Sequence, residues 1–233
     1  MRILAVTNMY PIPTRLSFGT FVEQQVKGLR EIGLEVDVMF LDRLEKGRGV
    51  YLGLGRKIDA QIKRLQPDIV HVMYGGVMAD LVTKRVRHRP KVVTFHGSDL
   101  LGHPYLGSIK KMIASYGVWA SWRAARRTDG IVVVSKLLQG ALPTNIDASK
   151  VRMIPCGIDL ERFQPLDRDT CRYELGWRHD RFHVLFPSHR GNLVKRYDLA
   201  CAAVKVLRDF GIPVEMHEMQ RSEERRVGKE CRL

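Results

Sequence analysis

Two runs in the first hundred residues, Asp68-Ile-Val-His-Val72 and Lys91-Val-Val-Thr-Phe95, constrain the fold more than any other feature. They lack the strict apolar–polar alternation of a strand that meets water on one side. Strands of this kind are covered on both faces, which requires a parallel sheet between two layers of helix. Similar short runs are expected as strands near 2–7, 35–40, 68–73, 91–96, 130–134 and 151–154. Longer amphipathic segments near 19–32, 52–65, 76–88, 106–126 and 136–142 read as the helices between them. Strand–helix alternation at this spacing predicts a doubly wound, Rossmann-like α/β domain.

The pattern then starts again. Asp169-Thr-Cys-Arg-Tyr-Glu-Leu-Gly-Trp177 reads as a short helix ended by Gly176, followed by a strand at 182–186, a helix at 195–210 and a strand from 212. One β-α-β unit cannot cover both faces of its sheet, so this second Rossmann-like domain is expected to be incomplete. The final stretch, 221–233, carries no α/β pattern. It is similar to the translation of a common sequencing adapter and is read as a non-native tail.

Between the two patterns lies Val151-Arg-Met-Ile-Pro155-Cys-Gly157-Ile-Asp159-Leu-Glu-Arg-Phe163. Pro155 fixes its own φ and lacks an N–H, and Gly157 admits backbone angles closed to other residues. Asp159 is placed to cap one short helical turn, with Phe163 as an apolar anchor. This I-P-x-G-I-D-x-x-x-F segment resembles the interdomain crossing of GT-B glycosyltransferases, in particular the GT4-like group. The resemblance extends over most of residues 1–220. It implies an acceptor-side domain at 1–154, a hinge at 155–165 and the start of a donor-binding domain at 166–220.

A net charge of +14, from 39 basic and 25 acidic residues, favours anionic partners. No nucleic-acid-binding module accompanies the charge, so a nucleic-acid partner is not expected. Met1-Arg-Ile-Leu-Ala-Val6 reads as a buried strand rather than a secretory leader, and no apolar run approaches the roughly 20 residues of a membrane span. Cys156, Cys171, Cys201 and Cys231 show neither C-x-x-C spacing nor clustering with His, so neither a disulfide framework nor a metal site is expected. Isolated thiols fit a reducing, cytoplasmic setting.

Four segments carry candidate chemistry. The loop from Asn8 to Gly19-Thr20 leaves backbone N–H groups at a helix start, an arrangement that suits an anion. Gly19 serves equally to permit a tight strand–helix turn. His96 stands where a parallel strand ends, followed by Gly97, Ser98 and Asp99, of which the last two can cap a helical turn. Gly75 and Gly76 either offer amides to a ligand or relieve crowding at a turn, and Ser135 is placed to cap the helix after it. In the second domain, Pro187-Ser188-His189-Arg190-Gly191-Asn192-Leu193-Val194-Lys195-Arg196 sets cations between a strand and a helix, a layout for gripping a diphosphate.

The resemblance implies specific roles. His96 would hydrogen-bond the reacting sugar, with Thr20, Gly75, Gly76, Gly97, Ser98 and Asp99 around the acceptor. Gly19, Arg190 and Lys195 would contact the donor diphosphate without metal or further cofactor, Arg196 being the alternative to Arg190. The implied reaction transfers a sugar from a nucleotide-diphosphate donor to an acceptor hydroxyl with retention, in surface polysaccharide or glycoconjugate synthesis. The implied acceptor is a glycan or a lipid-linked glycan. Basic clusters at 84–89 and 123–127 beside the apolar residues of 106–122 would suit peripheral contact with the inner face of a membrane.

No glutamate pair with the apolar flanks of the family's E-x7-E pattern appears among the 38 residues after Lys195. The chain alone is therefore expected to be inactive. A non-catalytic acceptor- or partner-binding fragment and a nucleotide-sugar epimerase of the same architecture are the alternatives.

Overall fold

In β1 (Arg2–Thr7) side chains alternate across the sheet, yet both faces are buried. Ile3 and Ala5 pack with Val22 and Val26 of α1 (Thr20–Glu31), while Leu4 and Val6 join the larger apolar cluster on the other face. That is the physical content of a doubly wound sheet: every central strand needs apolar residues on both sides. The computed structural model describes residues 1–103, 107–188 and 190–218. It places β1 in a first compact unit, Met1–Gly157; a second unit begins at Ile158. The expected tail at 221–233 lies outside the described residues.

The first unit is built on six parallel strands in the order β2-β1-β3-β4-β5-β6. After β1 these are β2 (Glu35–Phe40), β3 (Ile69–Val72), β4 (Lys91–Phe95), β5 (Gly130–Val133) and β6 (Val151–Met153). Strand order reverses between β1 and β3, and ligands of such sheets bind beyond the carboxyl ends of the strands at that point.

Most expected helices form, with differences at their starts. Asp42 accepts N–H bonds from Leu44 and Glu45 and so nucleates an extra turn, α2 (Arg43–Lys46), before a 3-10 turn at Gly47–Tyr51 and then α3 (Leu54–Leu65). The helix expected at 76–88 is shorter, α4 (Val77–Arg85), because Val86 is extended. Ahead of the long helix stands a separate turn, α5 (Ser98–Leu101), which stops where Gly102 takes φ +68°. The long helix is α6 (Ser108–Arg127), and α7 (Lys136–Gly140) follows Ser135, whose hydroxyl accepts from the Leu138 N–H at 3.3 Å.

In the second unit, Asp159 caps a short turn as expected, accepting N–H bonds from Glu161 (3.1 Å) and Arg162 (3.0 Å). Then come α8 (Arg168–Leu175), ended by left-handed Gly176, and β7 (Phe182–Phe186). A 3-10 turn at Leu193–Lys195 precedes α9 (Tyr197–Asp209), which starts two residues later than expected because Arg196 takes φ +55°. β8 (Val214–Glu218) pairs in parallel with β7 and begins only after Pro213. Among the described residues of this unit, the buried apolar side chains are Phe186, Val204 and Val214.

Candidate functional site

The chain leaves β4 through a turn organised by one carboxylate. Asp99, 4% exposed, accepts N–H bonds from Gly97 (2.7 Å), His96 (3.1 Å) and, across from the β3 exit, Gly75 (3.0 Å). Its main-chain carbonyl accepts the Ser121 hydroxyl at 2.6 Å, and the Ser121 oxygen in turn accepts the Gly76 N–H at 2.7 Å. Asp99 and Ser121 thus lock together the loops after β3 and β4. The amides of Gly75, Gly76 and Gly97 are consumed inside the protein. Gly75 is glycine because a Cβ would sit 2.6 Å from Ser121 Oγ and 2.8 Å from Phe95. Of the two readings of that pair, relief of crowding describes Gly75.

Beside this turn an open cleft of about 520 Å³ lies at the carboxyl ends of β1, β3 and β4. Gly75, Gly76, Ser98 and Asp99 line it, with Tyr74 bonded to Ser98 through their hydroxyls at 2.8 Å. Asn8, just past β1, donates from Nδ2 to the Tyr51 hydroxyl at 3.0 Å, while its buried Oδ1 has no partner. Arg43 and Lys110 also reach the cleft, and among the described residues neither forms an ion pair. Gly19 stands at the start of α1 with φ +72°, so close to the β1 exit that a Cβ would lie 2.3 Å from the Met9 carbonyl carbon. Thr20 is the first residue of that helix, where amides point outward.

His96 packs between two rings, with centroids 4.4 Å from Phe21 and 6.1 Å, nearly parallel, from Tyr74. Its Nδ1 lies 3.8 Å from Cys156 Sγ, a weak contact, and its buried Nε2 has no partner. Burial pushes its pKa down to about 4 against an opposing pull from Asp99. At neutral pH this is a neutral imidazole with one nitrogen unused. Behind it His71, bonded to Thr94 Oγ1 at 2.7 Å, is also pushed down to about 4 by burial, with a smaller contribution from His96.

The second unit holds its cations differently. Arg190 donates from Nε to Glu218 Oε1 at 2.6 Å and lies 5.1 Å over the Tyr197 ring. Tyr197 donates to the same carboxylate oxygen at 2.7 Å, and that bond raises its pKa to about 12. Arg196 is bonded to Asp198, at 2.9 Å from Nε and 2.8 Å from Nη2. Lys195 closes the 3-10 turn and makes no ion pair among the described residues.

The Glycosyltransferase Family 4 model matches residues 21–162, well over half of the chain. The chain belongs to glycosyltransferase family 4. It is 26% identical to a Bacillus subtilis protein named as the teichuronic acid biosynthesis glycosyltransferase TuaC, over 76% of this chain and 55% of that protein. The chain therefore spans about half the length of the curated relative it matches. Among solved structures, the sucrose-phosphate synthase of Thermosynechococcus elongatus superposes with a TM-score of 0.65 at 13% identity, covering 96% of this chain and 72% of that one. The UDP-GlcNAc 2-epimerase of Methanocaldococcus jannaschii gives 0.52 at 10% identity, covering 97% and 67%. These two show the shared GT-B fold.

Within that family fold, the sequence locates the His96–Asp99 turn but not its organisation. By position Asp99 reads as a helix cap, whereas in the fold it is the joint between two loops. Asn8, Arg43, Tyr51 and Lys110 carry no sequence signal, since polar residues in loops and on helices are common and only the sheet order brings these four to one crevice. Of the basic cluster at 123–127, Arg123 and Arg127 pair with buried Asp80, Arg123 Nε standing 3.3 Å from its carboxylate. Arg85 likewise pairs with Asp59. These three cations are paired with carboxylates of the first unit, two of them at buried Asp80 and one on the surface.

Proposed function

We propose that the chain is the acceptor-side part, with some of the donor side, of a glycosyltransferase that moves a sugar from a nucleotide diphosphate to an acceptor hydroxyl. The observation that carries this reading is His96: a neutral imidazole whose buried Nε2 has no partner, at the carboxyl end of a central strand. A buried polar atom without a partner costs about 1–3 kcal/mol, and a ligand hydroxyl recovers that cost. His96 Nε2 hydrogen-bonds a sugar hydroxyl, while Gly97, Ser98, Asp99, Gly75 and Gly76 shape the wall beside it. Gly19 brings the start of α1 toward the donor diphosphate, and Thr20 faces the acceptor. Arg190 and Lys195 stabilise the charge that develops on the leaving nucleotide, in place of a metal. Retention of anomeric configuration completes the reading. The role carried in TuaC's name favours an acceptor in surface polysaccharide synthesis.

A polypeptide of the relative's full length, given UDP- and GDP-sugars with lipid-linked glycans, should yield a glycosylated product with the donor's anomeric configuration, undiminished by EDTA. A sugar epimer without transfer would replace this reading with the epimerase one. The chain of 233 residues alone should bind without turnover, as a non-catalytic fragment does, and donor consumption by it would contradict the division of roles.

One feature favours contact with a membrane surface. Along α6, Ile109, Met112, Ile113, Tyr116 and Trp119 form an exposed stripe at helical spacing, flanked by Lys110 and Lys111. Such a stripe suits an anionic bilayer that carries a lipid-linked acceptor, at the cytoplasmic side. None of the helices among the described residues is long and apolar enough to cross a membrane. Co-sedimentation with phosphatidylglycerol-containing vesicles should fall about tenfold when Met112 and Trp119 are both replaced by Ser; equal binding by the variant would remove the stripe from any such role.

A further inference from the structure

We propose that His183, Glu215 and His217 form a binding site for a divalent transition metal of the zinc type. The parallel register of β7 and β8 pairs His183 with Glu215 and Leu185 with His217. Side chains alternate along a strand, so His183, Glu215 and His217 share one face of the two-stranded sheet, with His217 diagonal to His183. One ligand atom from each lies within 4.8 Å of the other two.

The protonation of His183 is set by its neighbours. Its Nε2 is 2.7 Å from the Arg178 carbonyl oxygen. A carbonyl only accepts, so Nε2 carries the hydrogen and Nδ1 presents its lone pair. A carbonyl bonded to the far nitrogen is the support that metal-binding histidines generally have. Nδ1 then faces His217 Nε2 at 2.8 Å and Glu215 Oε2 at 3.9 Å. Arg181 Nε stands 3.2 Å from the other carboxylate oxygen, Oε1, as an ion pair without a hydrogen bond, and Oε2 is the oxygen toward the histidines. Trp177 fixes both rings, stacked at 4.0 Å on His217 and 4.8 Å on His183.

In the metal-free state a His217 Nε2–H bond to His183 Nδ1 fills the gap. A metal ion uses the same lone pair, with His217 shifting its hydrogen to Nδ1, so no net proton is released. Tetrahedral zinc with bonds of about 2.0–2.1 Å separates its ligand atoms by roughly 3.3 Å. The observed pair therefore needs to open by only about half an ångström. Two imidazoles and one carboxylate suit borderline-soft ions such as Zn²⁺ and Co²⁺ rather than Mg²⁺ or Ca²⁺. Access is available, because the Glu215 side chain is 31% exposed and His183 lines an open cavity of about 570 Å³ with Trp177. Bound metal would tie β7 to β8, and a fourth position would remain for water. The site does not depend on sugar transfer.

The test is a Co²⁺ titration of the EDTA-treated chain, followed by its visible d–d bands and by the thermal midpoint with Zn²⁺. Expected are one ion per chain with tetrahedral bands, and a Zn²⁺-dependent rise in midpoint. His183→Ala and His217→Ala should weaken Co²⁺ binding at least about 100-fold, and Glu215→Gln about tenfold. His179→Ala, outside the cluster, should bind as the parent does. Far-UV circular dichroism identifies any variant that fails to fold; His217→Gln and Glu215→Gln then carry the comparison. Absence of one-to-one binding by the parent, or tetrahedral bands that survive in folded His217 variants, would overturn the proposal.

Discussion

Asp99 in the first unit and Glu218 in the second are both carboxylates that organise a candidate site, and they do it in opposite ways. Asp99 is buried and holds main-chain N–H groups from two loops. Glu218 keeps 26% of its side chain exposed and holds side chains, Arg190 and Tyr197. Main-chain donors fixed by a buried acceptor keep their geometry before any ligand arrives. Partly solvated ion pairs exchange partners easily, since exposed pairs contribute about 0–1 kcal/mol. The cores differ in the same sense: the first unit buries an apolar cluster on each face of its sheet, whereas β7 leaves Phe182 60% and Leu185 43% exposed. One half is held in shape by main-chain bonds, and the other leaves Arg190 on an exchangeable side-chain partner.

The largest effect expected is at Gly19. Gly19→Ala forces a Cβ against the Met9 backbone at a left-handed φ and should cost about 4 kcal/mol or more, or leave no folded first unit, as read by urea denaturation. Asp99→Asn comes next. Its amide oxygen replaces a charge that serves three main-chain donors, so a loss of about 2–4 kcal/mol is expected, while Glu218→Gln should cost under about 1 kcal/mol. Equal losses for the two would abolish the contrast.

Acidification should act more strongly on the first unit than on the second, because two buried imidazoles of the first unit are pushed down to about 4. His71 and His96 have folded pKa values of about 4 against an ordinary 6.5, so the unfolded chain binds their protons first. The stability they confer is whole above pH 6.5 and is lost as the pH falls toward 4, by up to about 3 kcal/mol for each. Hydrogen exchange resolved by unit should show the first unit loosening across this window. In the second unit His217 is also lowered from 6.5, chiefly by burial, while Asp167, Asp180 and Asp198 sit below their ordinary 3.8, lowered chiefly by bonds to Thr170, Arg178 and Arg196, so the carboxylates' support is lost only at lower pH. A first unit indifferent to pH between 6.5 and 4 would mean that these imidazoles are not neutral in the fold.

The smallest effect on stability should come from Lys195→Ala, within about 0.5 kcal/mol, since Lys195 has no ion pair to lose among the described residues. Its consequence should appear in binding instead, with affinity for a nucleoside diphosphate down about tenfold by calorimetry. Unchanged affinity would take Lys195 out of the donor site.

The strands of both units are legible in the sequence because a two-sided core demands apolar runs, and Asp68-Ile-Val-His-Val72 announces such a strand directly. Extra turns such as α2 and α5 are not legible, because they depend on a single cap at Asp42 and a single positive φ at Gly102. At the site, His96 is visible from its place at a strand end, whereas its unpartnered Nε2 depends on Phe21, Tyr74 and Cys156 arriving from elsewhere. The pairing of His183 with His217 is equally hidden, since register between β7 and β8 is a tertiary fact.

The claim that His96 meets the reacting sugar is tested most directly by steady-state transfer kinetics in a polypeptide of the relative's full length. His96→Ala should lower kcat by about 100-fold or more with the donor KM nearly unchanged, because the bond to the reacting sugar that strengthens in the transition state is lost while the diphosphate contacts are kept. A variant that transfers sugar at the parent's rate would contradict the account.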